Sequence, residues 1–160
     1  MNRPGQFHRT LWVLFVVLGA SHAVCADEVR REAGVALLPK FKQECAACHV
    51  AFAPGMLPAE SWRRLMNNLP RHYGTDASLD AATVNELTTW LGTNAGTHKR
   101  VREAPPEDRI TRSAWFIREH DELPASVWKR PAVKSAANCI ACHTQADQGN
   151  FDEHTVRIPR

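Results

Sequence analysis

Two short stretches of this chain place two thiols and an imidazole at one fixed spacing: Cys45-Ala-Ala-Cys48-His49 and Cys139-Ile-Ala-Cys142-His143. On a helical turn, residues three and four apart share a face, so the two sulfurs and the nitrogen of each stretch project together. Two thiols can bond the vinyl carbons of a porphyrin while the adjacent imidazole reaches its iron, and C-x-x-C-H reads as covalent haem attachment. A bare C-x-x-C pair could instead be a redox thiol pair, and two could form a Cys₄ zinc site. Neither explains the histidines. With 8 His in 160 residues, one directly after both pairs is a coincidence of about one in 400. The expected cofactors are two covalently bound haem c groups, held by Cys45, Cys48, Cys139 and Cys142.

His49 and His143 would each fill one axial position of an iron, and the opposite ligand sets the chemistry. A second strong ligand closes the metal for electron transfer, whereas an open position admits small reactive molecules. For the first site His72 is favoured, in a stretch bracketed by Pro70 and Gly74 that can turn back over the haem. Met66 shares a helix face with Trp62 and Leu69 and is better explained as core, and Met56 stands only a short Pro-Gly loop from His49. For the second site His120 is favoured, at the end of a short apolar segment containing Trp115, Phe116 and Ile117. His154 competes with it, while His98 lies among Lys99, Arg100 and Arg102, where solvation is its ordinary role. Two bis-histidine irons would lack the thioether that raises potential in His/Met cytochromes, so both are expected to be low-potential and low-spin.

The elements that must position these groups are helical. Val29, Ala33, Ala36 and Leu37 suggest a helix over 28–48 that Pro39 breaks or restarts. A second should run from Pro58 with Trp62, Leu65, Met66 and Leu69 on one face. A third should follow Asp80 as N-cap, with Val84, Leu87 and Leu91 as its stripe and Trp90 beside it. Residues 96–110 are rich in Gly, Pro and charge and read as a linker. A short helix over 111–120, capped by Thr111 or Ser113, precedes a Pro-broken region with little regular structure. No strand is convincing. The fold class is mainly α: a helical first haem domain over 27–95, a linker over 96–110, and a less regular second haem domain over 111–160.

The N-terminus reads as an export signal over 1–26. Arg3, His8 and Arg9 precede the apolar run Leu11–Ala20, about half the ~20 residues that would span a bilayer, and cleavage is expected near Ala26. A lipoprotein reading through Cys25 is weakened by His22 and Val24. The mature chain would then be periplasmic, with every remaining cysteine in a C-x-x-C-H motif and none left for a disulfide. Removing Arg3 and Arg9 lowers the formal charge from +3 to +1, and no basic aromatic stripe suggests a nucleic-acid partner.

The stretches ECAACHVAFAPGMLPAESWRRLM, NLPRHYGTDASLD, WFIREHDELP, KRPAVKSAANCIACH and NFDEHTVRIPR resemble the bacterial dihaem cytochrome c family of small periplasmic electron-transfer proteins. The resemblance implies an N-terminal domain like class I cytochrome c, a less regular second haem domain, and bis-histidine irons through His49 with His72 and His143 with His120. It also implies redox partner proteins, among them a monohaem c-type oxygen-binding protein and a membrane b-type cytochrome. The expectation is an electron carrier rather than an enzyme, and not itself membrane-spanning once processed. A dihaem peroxidase or nitrite-reducing enzyme with one open iron is the alternative, as is the electron-transfer subunit of a periplasmic reductase. Arg63, Arg64, Arg71 and Arg130 are candidates to offset propionate charge, and Lys99, Arg100 and Arg102 could form a docking rim.

Overall fold

The computed structural model describes residues 35–160. The export segment with its cleavage point, Cys25, and the Val29–Ala33 part of the first expected helix lie outside the described residues. The first helix, α1 (Pro39–Cys45), starts at the proline. Pro39 has no N–H to leave unpaired and its φ suits a first helical residue, while its ring holds Leu38 extended, at φ −56° and ψ 129°. Ala36 and Leu37 therefore precede the helix and do not extend it. The helix ends at Cys45, and Ala46–Cys48 form the turn that follows.

The second helix, α2 (Ala59–Met66), has Pro58 as its N-cap and so starts one residue later than expected. Pro58 is extended, and its carbonyl accepts the Ser61 and Trp62 amides at 3.0 and 3.3 Å. The third, α3 (Ala81–Thr93), is capped by Asp80, whose carboxylate accepts the Thr83 amide at 3.0 Å and hydroxyl at 2.6 Å. Such a cap stabilises a helix by about 1 kcal/mol. The α2 and α3 helices pack together over Phe41, Leu57, Trp62, Met66, Leu69, Leu87 and Leu91, all buried. Trp62 also donates Nε1–H to the Pro54 carbonyl at 2.7 Å, which satisfies the one polar atom its burial would otherwise strand.

The stretch 96–110 contains little regular helix, yet it is fastened at both ends. Gly96 donates its amide to the Leu57 carbonyl at 2.9 Å. A Cβ there would overlap the Gly55 carbonyl and the Val101 side chain, so the approach requires glycine. Val101 is buried, and Ile110 joins the core built by α2 and α3, with Trp115 packed beside it. Hydrophobic contact is therefore continuous from the first half into the second.

The fourth helix, α4 (Ala114–Glu119), is capped by Ser113, which accepts the Phe116 amide at 3.2 Å. Beyond it the described chain forms only short 3₁₀ turns, at Val127–Lys129, Cys139–Ala141, Ala146–Gln148 and Glu153–Thr155. Buried side chains are few there: Val127, Val133, Cys142 and Ala146, with Phe116 on α4 itself. Among the described residues the only β pairing is one bridge, His72 with Thr75.

Candidate functional site

The end of α1 sets the first cluster. Cys45 is half-buried and Cys48 exposed. In the second cluster the His143 amide donates to the Cys139 carbonyl at 2.8 Å, which closes one helical turn and keeps Cys139 and His143 on one face. Burial, with the Glu44 carboxylate adding to it, pushes the Cys45 thiol up to about 11; burial does the same for Cys139, also to about 11. Thiols so raised are poor thiolates, which disfavours a reactive thiol pair. Among the described residues no three His, Cys, Asp or Glu side chains gather to hold a bare metal ion.

What the fold does assemble is two pairs of opposed imidazoles. His72 follows the 3₁₀ turn Leu69–Arg71, and its bend is completed by Tyr73 and Gly74 at positive φ (51° and 96°). This turns the chain back so that the His49 and His72 rings stand 6.1 Å apart between centroids. His120 terminates α4, and its ring stands 6.1 Å from that of His143. A metal–imidazole bond is about 2.0–2.1 Å, so two ring nitrogens on opposite sides of one ion lie about 4 Å apart, and adding the half-width of each ring brings the centroids to about 6 Å. Both spacings fit one iron between two histidines.

The protonation pattern fits as well. His49 donates Nδ1–H to the Val50 carbonyl at 2.7 Å, and His120 donates Nδ1–H to the Phe116 carbonyl at 2.9 Å. A carbonyl can only accept, so Nδ1 carries the hydrogen in each ring and Nε2 is the nitrogen left to face a metal. Burial, reinforced by His49 and Arg109, holds His72 below the ordinary histidine range; burial and His120 do the same for His143. Neutral imidazoles are what metal ligation needs.

The competing ligands stand elsewhere. Met66 is buried in the core and Met56 packs against it. His154 is 85% exposed beside Glu153. His98 is half-buried, its Nδ1 accepting the Arg100 amide at 3.3 Å.

Of the four arginines suggested for propionates, three have protein partners. Arg63 pairs with Glu60, Arg64 grips Asp108 through two bonds of 2.8 and 2.6 Å, and Arg130 donates to the Pro159 carbonyl at 2.6 Å. Arg71 lies on the rim of a cleft of about 530 Å³ that also includes His72, Tyr73 and Asn68. In the basic cluster, Arg100 is paired with Glu119 at 2.7 Å.

Residue-by-residue sequence reasoning placed Phe116 in the apolar segment before His120 but missed the aromatic rings that flank the other three histidines. Phe52 stacks on His49 (5.0 Å, 27°), Tyr73 leans on His72 (4.9 Å, 60°), Phe116 stacks on His120 (4.1 Å, 21°) and Phe151 leans on His143 (5.3 Å, 60°). The available signal was an aromatic residue within eight positions of every one of these histidines. It also missed the C-terminal strap, in which the Arg157 amide donates to the Cys142 carbonyl at 2.9 Å.

A family model described as dihaem cytochrome c matches residues 41–151. Among solved structures, the chain is similar to the diheme cytochrome type c from Shewanella baltica OS155, at 37% identity and a TM-score of 0.67, covering 76% of this chain and 92% of that one. It is also similar to the diheme cytochrome c from Rhodobacter sphaeroides, at 40% identity and a TM-score of 0.64, covering 73% of this chain and 99% of that one. No curated protein matches the chain.

Proposed function

This chain belongs to the dihaem cytochrome c family and carries two covalently bound haem c groups, and from that premise we propose that it is an electron relay with two closed, low-potential bis-histidine irons. The observation that carries the reading is the 6.1 Å centroid spacing of His49 with His72 and of His120 with His143. Cys45 and Cys48 attach one haem, Cys139 and Cys142 the other, and His49 and His143 are the proximal ligands. Each haem, when bound, supplies one-electron exchange between ferric and ferrous iron.

The chain's own residues keep that exchange simple. His72 and His120 would hold the two irons together with His49 and His143, so no small molecule would need to bind and no bond would need to form or break. The carbonyls of Val50 and Phe116 hold the Nδ1–H of His49 and His120 and thereby aim Nε2 at the metal. These hydrogen bonds also enrich the ligating nitrogen, which favours ferric iron and lowers the potential, as does the lack of a thioether ligand.

The export reading supports a periplasmic site of action, and no helix among the described residues is long and apolar enough to cross a membrane. The family resemblance supports redox partners of two kinds, a monohaem c-type oxygen-binding protein and a membrane b-type cytochrome. The test is carbon monoxide added to the reduced holoprotein. Two closed irons leave the visible spectrum unchanged, and His72→Ala opens one of them to the gas. Stoichiometric binding by the unaltered protein would instead favour the enzymatic alternative with an open iron.

A further inference from the structure

The two imidazole pairs share a spacing and differ in orientation. The His49 and His72 rings lie 25° from parallel, whereas the His120 and His143 rings lie at 78°. We propose that the two irons carry differently oriented axial pairs, near-parallel at the first site and near-perpendicular at the second, and that Phe116 is the positioning residue that sets the plane of His120. This rests on the bis-histidine reading above and deepens it.

The contacts around each ring explain the difference. At the first site the proximal ring is the one held twice: His49 is bonded through Nδ1 to Val50 and stacked against Phe52. At the second site the distal ring is held twice, and by a single residue. The Phe116 carbonyl accepts His120 Nδ1–H at 2.9 Å while the Phe116 ring stacks on the imidazole at 4.1 Å and 21°. Phe116 is itself immobilised, buried and with its amide bonded to the Ser113 cap. Trp128 stands on the same histidine at 5.8 Å but tilted by 55°, too oblique to define its plane. His143 takes its direction separately, from the turn closed by its amide on Cys139.

Orientation matters because an imidazole donates π density through the orbital perpendicular to its ring. Parallel rings raise the same iron d orbital and split it well away from its partner. Perpendicular rings raise both members of the pair about equally and leave them nearly degenerate. A ferric low-spin iron of the first kind gives a three-line rhombic electron paramagnetic resonance spectrum; one of the second kind gives a single, strongly anisotropic low-field feature. Axial-ligand geometry is among the levers by which a protein tunes a haem.

The experiment is low-temperature electron paramagnetic resonance of the fully oxidised holoprotein, with integrated intensities. One rhombic and one large-anisotropy low-spin signal of equal weight are expected. In Phe116→Leu the rhombic signal and the haem content should stay, while the anisotropic feature moves; Phe116→Tyr should restore it, and Trp128→Leu should leave it in place. Should Phe116→Leu lose haem, Phe116→Met keeps the side-chain volume without the ring and gives the same readout. Two rhombic signals in the unaltered protein would overturn the orientation assignment while leaving bis-histidine ligation intact. An unchanged anisotropic feature in the Phe116 variants would remove Phe116 from its role. A high-spin signal would instead overturn the bis-histidine reading on which the assignment depends.

Discussion

At the scale of the residue, His72 and His120 occupy unlike settings although they face like partners. His120 closes a helix and is held by the Phe116 carbonyl and ring. His72 sits in a bend, with its buried Nδ1 lacking a hydrogen-bond partner and only Tyr73 leaning on it. Replacing either by methionine should convert that iron to His/Met ligation and raise its potential by on the order of 100 mV, within the ~0.8 V that axial ligands span. Redox titration should show one of the two midpoints move in each variant while the other stays. The visible Met–Fe³⁺ charge-transfer band should appear more fully for His72→Met, whose looser bend can adjust to a longer side chain. If both midpoints move together in each variant, the histidines do not belong to separate irons. In the sequence these two stand out among the histidines because His72 lies in a Pro/Gly bend and His120 at the end of an apolar segment. The ring that leans on His72 does not stand out there, because a ring's partner depends on where the backbone turns, as at Tyr73 with its positive φ.

At the scale of the element, the segment from Pro105 to Arg112 is clamped onto the first half. Tyr73 donates its hydroxyl to the Glu107 carbonyl at 3.0 Å, Arg109 covers the Tyr73 ring at 4.0 Å, and Arg64 of α2 grips Asp108. Glu107 and Asp108 both adopt positive φ (58° and 55°), a conformation that costs a non-glycine residue roughly 1–2 kcal/mol. The Arg64 hydrogen bonds and charge hold the Asp108 carboxyl below the usual aspartate range. Its contribution is therefore fully present above the unfolded aspartate value of about 4 and is lost as pH falls through the lower, folded value. Asp108→Asn should destabilise the holoprotein by about 1 kcal/mol at neutral pH, since a bidentate pair half open to solvent is worth little more. Thermal melts should show that deficit shrinking as pH drops below 4. A deficit that persists unchanged at acid pH would show that the ion pair contributes nothing. This clamp escaped sequence reading because Gly, Pro and charge are the composition of a loose linker. The helices, by contrast, were readable from Pro39, Asp80 and Ser113, whose local chemistry starts a helix wherever the chain runs.

At the scale of the whole molecule, the question is what lets so little regular structure hold together after α4. After α4 the described chain buries only Val127, Val133, Cys142 and Ala146, and its path is fixed by short turns and single bonds such as Arg130 to Pro159 and Arg157 to Cys142. Conformational entropy costs about 1–2 kcal/mol per ordered residue, and a handful of buried aliphatics cannot offset that over residues 121–160. A haem held by Cys139, Cys142 and His143 would supply the missing apolar surface and fasten the chain there. Loss of attachment at each motif should therefore have unequal effects. Cys139→Ser with Cys142→Ser should unfold the second half, read as rapid proteolysis after α4, while α1–α3 persist around the first haem and the α2–α3 core. The matching pair at Cys45 and Cys48 removes the haem from the half with the larger protein core, so hydrogen exchange should show α2 and α3 weakened yet still protected. Equal protection of the second half with and without its haem would refute the idea that the cofactor is its core.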